Sequence, residues 1–171
     1  MTTGSGMLAV EDVETYLANS TLFRARAGDA DVTAAKKRVF YVESEPPAEE
    51  APGATLASRR PYVILSPERL SYQPGGVGDD TVLLADGGVF AIISDNPRNP
   101  GNYKESFRDY WDWVTSVTDE IAAMHRTDDH FRFAISLAVL PWRPALTERG
   151  CNNGGDDFWE CVLVFTYGAN Q

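Results

Sequence analysis

Between Asn102 and Met124 the residues Tyr103, Phe107, Tyr110, Trp111, Val114, Val117, Ile121 and Met124 recur in steps of three and four. That spacing draws one apolar stripe down a helix, with Lys104, Arg108, Asp112, Thr115 and Asp119 on the opposite side. A helix apolar along one side must lay that side on something, and two segments of strict alternation supply the surface. Phe131, Phe133, Ile135, Leu137 and Val139 alternate with Arg132, Ala134, Ser136 and Ala138. Trp159, Cys161, Leu163, Phe165 and Tyr167 alternate with Glu160, Val162, Val164 and Thr166. A period of two places each set on one face of a strand, so the pattern predicts antiparallel strands with a buried face and the long helix lying along them.

The rest of the chain fits around that pair. Val10, Val13, Leu17 and Phe23 predict a helix from about Val10 to Arg26, with Gly28 as its stop. Val39–Val42 and Tyr62–Leu65 read as strands from their β-branched and aromatic residues, the second resuming at Leu70–Tyr72. Thr81–Leu84 and Val89–Ile93 flank Asp86-Gly87-Gly88, which is either a hairpin turn or a bulge within one long strand. The expected fold is α+β: a mainly antiparallel or mixed sheet carrying an N-terminal helix and one long amphipathic helix. One domain over residues 1–171 is expected, with mobile segments at 1–8, 43–58, 74–80, 95–101 and 143–157. The segment from Glu43 to Gly53, with three prolines and the glutamates Glu43, Glu45, Glu49 and Glu50, cannot bury a face.

Charge narrows the partners. With 25 acidic and 15 basic residues the net charge is −10, the wrong sign for a phosphate backbone or an anionic membrane surface. No apolar run approaches the roughly 20 residues that span a bilayer. Residues 1–6 show no basic or apolar signal region, so the expected location is not a secreted one. Cys151 and Cys161 are expected to be reduced.

Residues that could carry chemistry are few. His125 and His130, with Asp128 and Asp129, read as a polar turn rather than a metal cluster, because neighbouring loop residues point apart. The ten-residue spacing of the cysteines matches no zinc or redox motif. Asp86-Gly87-Gly88 and Pro74-Gly75-Gly76-Val77-Gly78 lack the lysine and the strand–loop–helix context of a phosphate cradle. No nucleophile elbow is present. No catalytic, cofactor or metal residue is therefore expected, and the surface becomes the place to look. Trp113, off the helix stripe, and Trp142, between Pro141 and Pro144, are the interface candidates, together with Glu43, Glu45, Glu49 and Glu50.

The order of elements now matters: an N-terminal helix, strands around an acidic loop, the long helix Phe107–Met124, the strand Phe131–Val139, a polar excursion, and the closing run Asp157-Phe158-Trp159-Glu160-Cys161-Val162-Leu163-Val164-Phe165-Thr166-Tyr167. Over about Val10 to Gly168 this order resembles the tail terminator proteins of long-tailed bacteriophages, the minor tail protein U group. The resemblance implies a structural virion protein, assembled in the host cytoplasm, whose copies form a ring, usually a hexamer, on the end of the tail tube. Such a ring stops tube polymerisation and meets the head-completion or connector protein; a neck protein of the same particle is a close variant. The contrasting expectation is a small-molecule-binding or hydrolytic domain using Asp156, Asp157 and Glu160, or the His125/His130 turn.

Overall fold

The computed structural model describes residues 5–41, 60–67, 71–74, 82–99, 101–127, 136–140 and 158–168. The fold is α+β. In chain order it runs α1 (Ser5–Asn19), α2 (Thr21–Ala27), α3 (Val32–Lys36), β1 (Val39–Tyr41), β2 (Tyr62–Pro67), β3 (Ser71–Pro74), β4 (Val82–Asp95), α4 (Tyr103–Thr127), β5 (Ser136–Leu140) and β6 (Trp159–Gly168). The strands form one mixed sheet in the order β1-β2-β4-β6-β5, with β3 paired to the first part of β4.

Local chemistry sets the helix ends. The N-terminal helix expected to run unbroken to Arg26 is two helices. Ser20 leaves helical geometry at ψ 121°, and its Oγ accepts from Phe23 N at 3.0 Å, capping α2. Gly28 then stops α2 as expected, at φ 73°, where a side chain would be strained. The five-residue α3, which the apolar pattern did not announce, is capped by Asp31 Oδ1 accepting from Ala34 N at 2.8 Å. The long helix starts where Asn102 Oδ1 accepts from Glu105 N at 3.4 Å. It continues through His125 to Thr127, so His125 ends a helix rather than opening a turn.

The sheet resolves the Asp86-Gly87-Gly88 ambiguity in favour of one long strand. β4 is 14 residues long, and Asp86, Gly87 and Gly88 pair with Gly168, Tyr167 and Thr166 of β6. A register shift between Ser71 and Tyr72 leaves Ala85 as an extra residue on β4 opposite β3. The β2–β4, β4–β6 and β5–β6 pairs are antiparallel, whereas β1 runs parallel to β2.

Register partners share a face of a sheet. On one face Val63, Leu65, Val89, Ala91, Ile93, Cys161, Leu163 and Phe165 are buried, as the alternation in β6 predicts. They pack with Val13 and Leu17 of α1 and with Tyr110, Val114, Val117 and Ile121 of α4 in one cluster. The other face carries Phe40, Ile64, Phe90, Ile92, Val162 and Val164, outside that cluster. The loop expected over 95–101 begins one residue late, because Asp95 is buried at the end of β4.

Candidate functional site

Three arrangements of side chains stand out, and the first corrects a sequence expectation. Trp113 is buried, not an exposed anchor. The helix α2 lies beside α4, so the buried arc of α4 is wider than its sheet-facing stripe. Trp113 stacks on Phe23 at 6.2 Å between ring centroids and donates from Nε1 to Leu22 O at 3.3 Å. Arg26 sits over its ring at 5.0 Å. The residues displaced outward are Phe107 and Tyr103, which the stripe placed inside but which are 39% and 47% exposed. Phe107 stacks on Trp111 at 6.0 Å and meets Trp159 edge-on at 5.6 Å.

Around Trp113 the sheet and helices are joined by an ionic node. Arg26 Nε donates to Asp95 Oδ2 at 2.7 Å, and Arg26 NH2 lies 2.7 Å from Asp109 Oδ2. Burial pulls the Arg26 pKa down, but the two carboxylates outweigh it and hold the guanidinium charged. Asp95 Oδ1 also accepts from Asn96 N at 2.8 Å. One turn away, Ser106, which sequence reasoning passed over, accepts from Trp159 Nε1 at 2.8 Å in the interior. These contacts brace α2 and α4 against the end of β4. The neighbouring thiol is inert: burial pushes Cys161 up to about 11, against the pull of the Tyr110 hydroxyl and the Ile93 backbone. Cys161 is free, as expected from the sequence.

The second arrangement lies at one end of the opposite sheet face. Ser94 and Glu160 are register partners across β4 and β6, and Tyr62 partners Ser94 from β2. Ser94 is fully buried, with its hydroxyl toward the Glu160 carboxylate, and among the described residues the buried Nε of Arg60 has no hydrogen-bond partner. Arg60 lies over the Phe158 ring at 4.2 Å and donates from NH1 to Asn96 Oδ1 at 3.1 Å. Burial raises the Glu160 pKa above the ordinary carboxylate value, and the Arg60 charge and the Ser94 hydroxyl hydrogen bond offset it only in part. One carboxylate, one guanidinium and a hydroxyl can bind a polar group, but Glu160 has no second described carboxylate beside it for paired acid/base work.

The third is the sheet face itself. Ile64, Phe90, Ile92, Val162 and Val164 are all half-buried there, in cross-strand rows Ile64–Ile92–Val162 and Phe90–Val164. Sequence reasoning missed this surface because Val162 and Val164 were placed in the set opposite the buried one, and no face was assigned to the residues of β4. The signal was present: Ile92, Val162 and Val164 are apolar, and strands apolar on both faces are those covered on both.

The other expected site residues, Trp142, Glu43, Glu45, Glu49 and Glu50, lie outside the described residues, as do Cys151, Asp128, Asp129, His130, Asp156 and Asp157. Among the described residues no three His, Cys, Asp or Glu side chains gather in a way that could hold a metal. No described helix is long and apolar enough to cross a membrane. Compared with known proteins, the chain matches no family model and no curated protein, so its function has to be argued from these surfaces.

Proposed function

We infer that this chain is a structural, non-catalytic subunit that assembles with copies of itself into a closed ring. The observation that carries this reading is the asymmetry of the sheet. The clustered helices α1 and α4 pack on one face, while on the other Ile64, Phe90, Ile92, Val162 and Val164 are half-buried beside the buried Phe40 and Tyr62. An apolar surface of that kind favours association, because covering it removes apolar area from water. The resemblance to phage tail terminators gives the ring a place. It caps the tail tube, possesses the tube protein and the head-completion or connector protein as partners, and works in the assembling virion. Nucleic acid and membrane are not partners on this reading, in keeping with the net charge of −10.

Sedimentation velocity over a range of protein concentration, salt and magnesium tests it. Copies at net −10 repel, so screening should promote a closed species of fixed mass. Addition of the tail-tube protein should promote the same species. A chain that stays monomeric under all these conditions, tube protein included, is not a ring subunit.

A second reading rests on Arg60, Ser94 and Glu160. Among the described residues the buried Arg60 Nε has no hydrogen-bond partner, and beside it stands Glu160, whose pKa burial raises. That grouping favours a small polar ligand over catalysis. Calorimetric titration with a panel of small hydrogen-bonding solutes decides it; the ring reading expects no saturable heat that Ser94→Ala abolishes.

A further inference from the structure

We propose that the exposed aromatic flank of α4, bordered by Lys104 and Arg108, receives the acidic, proline-rich segment 43–53 of a second copy of the chain. This rests on the ring reading above and names one contact that joins neighbouring copies. Tyr103, Phe107 and Trp111 follow one another at intervals of four on α4, so their side chains line one side of the helix. Tyr103 is 47% and Phe107 39% exposed, while Trp111 is partly buried. Phe107 is held in place by ring contacts with Trp111 at 6.0 Å and Trp159 at 5.6 Å. Two large rings open to water side by side, on a third that is half-buried, form a contact surface rather than a scatter of single apolar residues.

The charges beside these rings select the occupant. Lys104 stands three residues before Phe107, and Arg108 three before Trp111, the spacing of neighbours on a helix. Both are exposed, and neither forms an ion pair among the described residues, whereas Asp109 on the far side is bound to Arg26. In a chain of net −10, two unpaired cations beside open rings suit an acidic segment that also has apolar groups to pack. Residues 43–53 have that composition, with Glu43, Glu45, Glu49 and Glu50, three prolines and no basic residue. Proline rings pack on aromatic faces, the mode by which proline-rich segments bind aromatic-lined surfaces. The rings supply the part of the contact that salt does not screen, and the cations the part that distinguishes an acidic segment.

The segment comes from a second copy because it and the flank belong to opposite edges of the sheet. It follows Tyr41, the last residue of β1, at one edge of the order β1-β2-β4-β6-β5. Helix α4 contacts β5 at the other edge. Its aromatic flank faces away from α2, which packs on the Trp113 and Glu120 side, and meets Trp159 of β6. With adjacent strands about 4.8 Å apart, the two edges are about 19 Å from each other. Set head to tail, the β1 edge of one copy adjoins the β5 edge of the next, which brings segment 43–53 to the neighbour's α4. That is a heterologous contact, one part of the chain against a different part. Such contacts repeat from copy to copy and close into a ring when the rotation allows.

Because the contact is heterologous, two charge-reversed chains should rescue one another. Full-length Lys104→Glu, Arg108→Glu reverses the receiving flank. Full-length Glu43→Lys, Glu45→Lys, Glu49→Lys, Glu50→Lys reverses the segment. Circular dichroism checks that each folds. Sedimentation velocity under conditions where the parent assembles should show each alone needing at least tenfold more protein to associate. An equimolar mixture should associate at close to the parent's concentration, since reversed flank meets reversed segment and native flank meets native segment in alternation. Phe107→Ala, which changes no charge, should weaken association by a similar factor and so separates the flank from general repulsion. Reversed chains that assemble like the parent overturn the contact while leaving the ring reading standing. A mixture no better than its components also overturns it. So does loss of tube-protein binding with self-association intact, by assigning the flank to a different partner. A parent that is monomeric throughout, tube protein included, removes the ring reading and the contact together.

Discussion

The carboxylate of Glu120 on α4 and the hydroxyl of Ser20, separated by 100 residues, meet at 2.5 Å. The same carboxylate accepts from Thr21 N at 2.8 Å, Thr21 Oγ1 at 2.5 Å and Leu22 N at 3.2 Å. It thereby caps the start of α2 from another element, placing negative charge on amides that have no intrahelical partner. The break at Ser20 and the docking of α2 against α4 are thus one feature.

Glu120→Gln should destabilise the fold by about 1 kcal/mol at neutral pH, in line with loss of a helix cap on a partly exposed group. Burial pushes the Glu120 pKa up from 4.5, but the hydrogen bonds from Ser20, Thr21 and Leu22 win and lower it. Because the folded value is depressed, its contribution is complete above about 4.5 and is lost as pH falls through the lower folded value. Urea unfolding at pH 7 and pH 3 should show the parent–variant gap closing in acid. A gap that is independent of pH would remove the charged cap from the account.

Trp113→Ala should cost about 3–5 kcal/mol, and Leu163→Ala about 2–5 kcal/mol, the range for emptying a core position. Phe107→Ala, on the exposed flank, should cost well under half of the Trp113 effect. Chemical denaturation of the three variants checks the order. Equal losses at Trp113 and Phe107 would mean that α2 does not cover α4.

Arg26→Met should cost about 3–5 kcal/mol, because Asp95, with its side chain 6% exposed, would lose its ion-pair partner and keep only the Asn96 amide. Asp109→Ala should cost about 1 kcal/mol or less, since that side chain is 44% exposed. The double variant Arg26→Met, Asp95→Asn should recover much of the first loss. Denaturant midpoints across the double-mutant cycle read this coupling.

In a Cys151→Ser background the remaining thiol, Cys161, should not react with a thiol reagent at pH 8 until the protein is unfolded. Burial and a pKa of about 11 both withhold the thiolate. Rapid labelling of the native protein would contradict its place inside β6.

Glu160→Gln should raise the melting temperature at pH 7 and leave it unchanged near pH 4. Burial raises the folded pKa of Glu160, so the native state binds the proton more tightly than the unfolded chain. Stability from this group is then complete below the unfolded value and is lost as pH rises through the folded one. Melting curves of both proteins across that range give the sign directly.

Much of this architecture is written in local periodicity. The alternation Trp159, Cys161, Leu163, Phe165 is buried at every position, and the three-and-four spacing of Tyr110, Val114, Val117 and Ile121 is the buried side of α4. Those outcomes depend only on a residue's place in its own element, which is why sequence determines them. The sequence also holds Gly28 as a helix stop, because few other residues accept φ 73°.

Tertiary structure decided the rest, where two distant segments compete for the same side chain. Trp113 lies off the stripe and is buried only because α2 covers it, while Phe107 lies on the stripe and stays exposed. Ser20 breaks the first helix with Glu120 supplying a cap from α4, and a glutamate 100 residues away leaves no trace in a local window. The Asp86-Gly87-Gly88 segment is as suited to a turn as to a strand; pairing with Gly168, Tyr167 and Thr166 makes it a strand. The surface proposed for assembly follows the same logic. Which apolar residues of β4 and β6 lie beneath helices, and which face away from them, depends on where α1 and α4 come to rest, and no single segment of the chain encodes that.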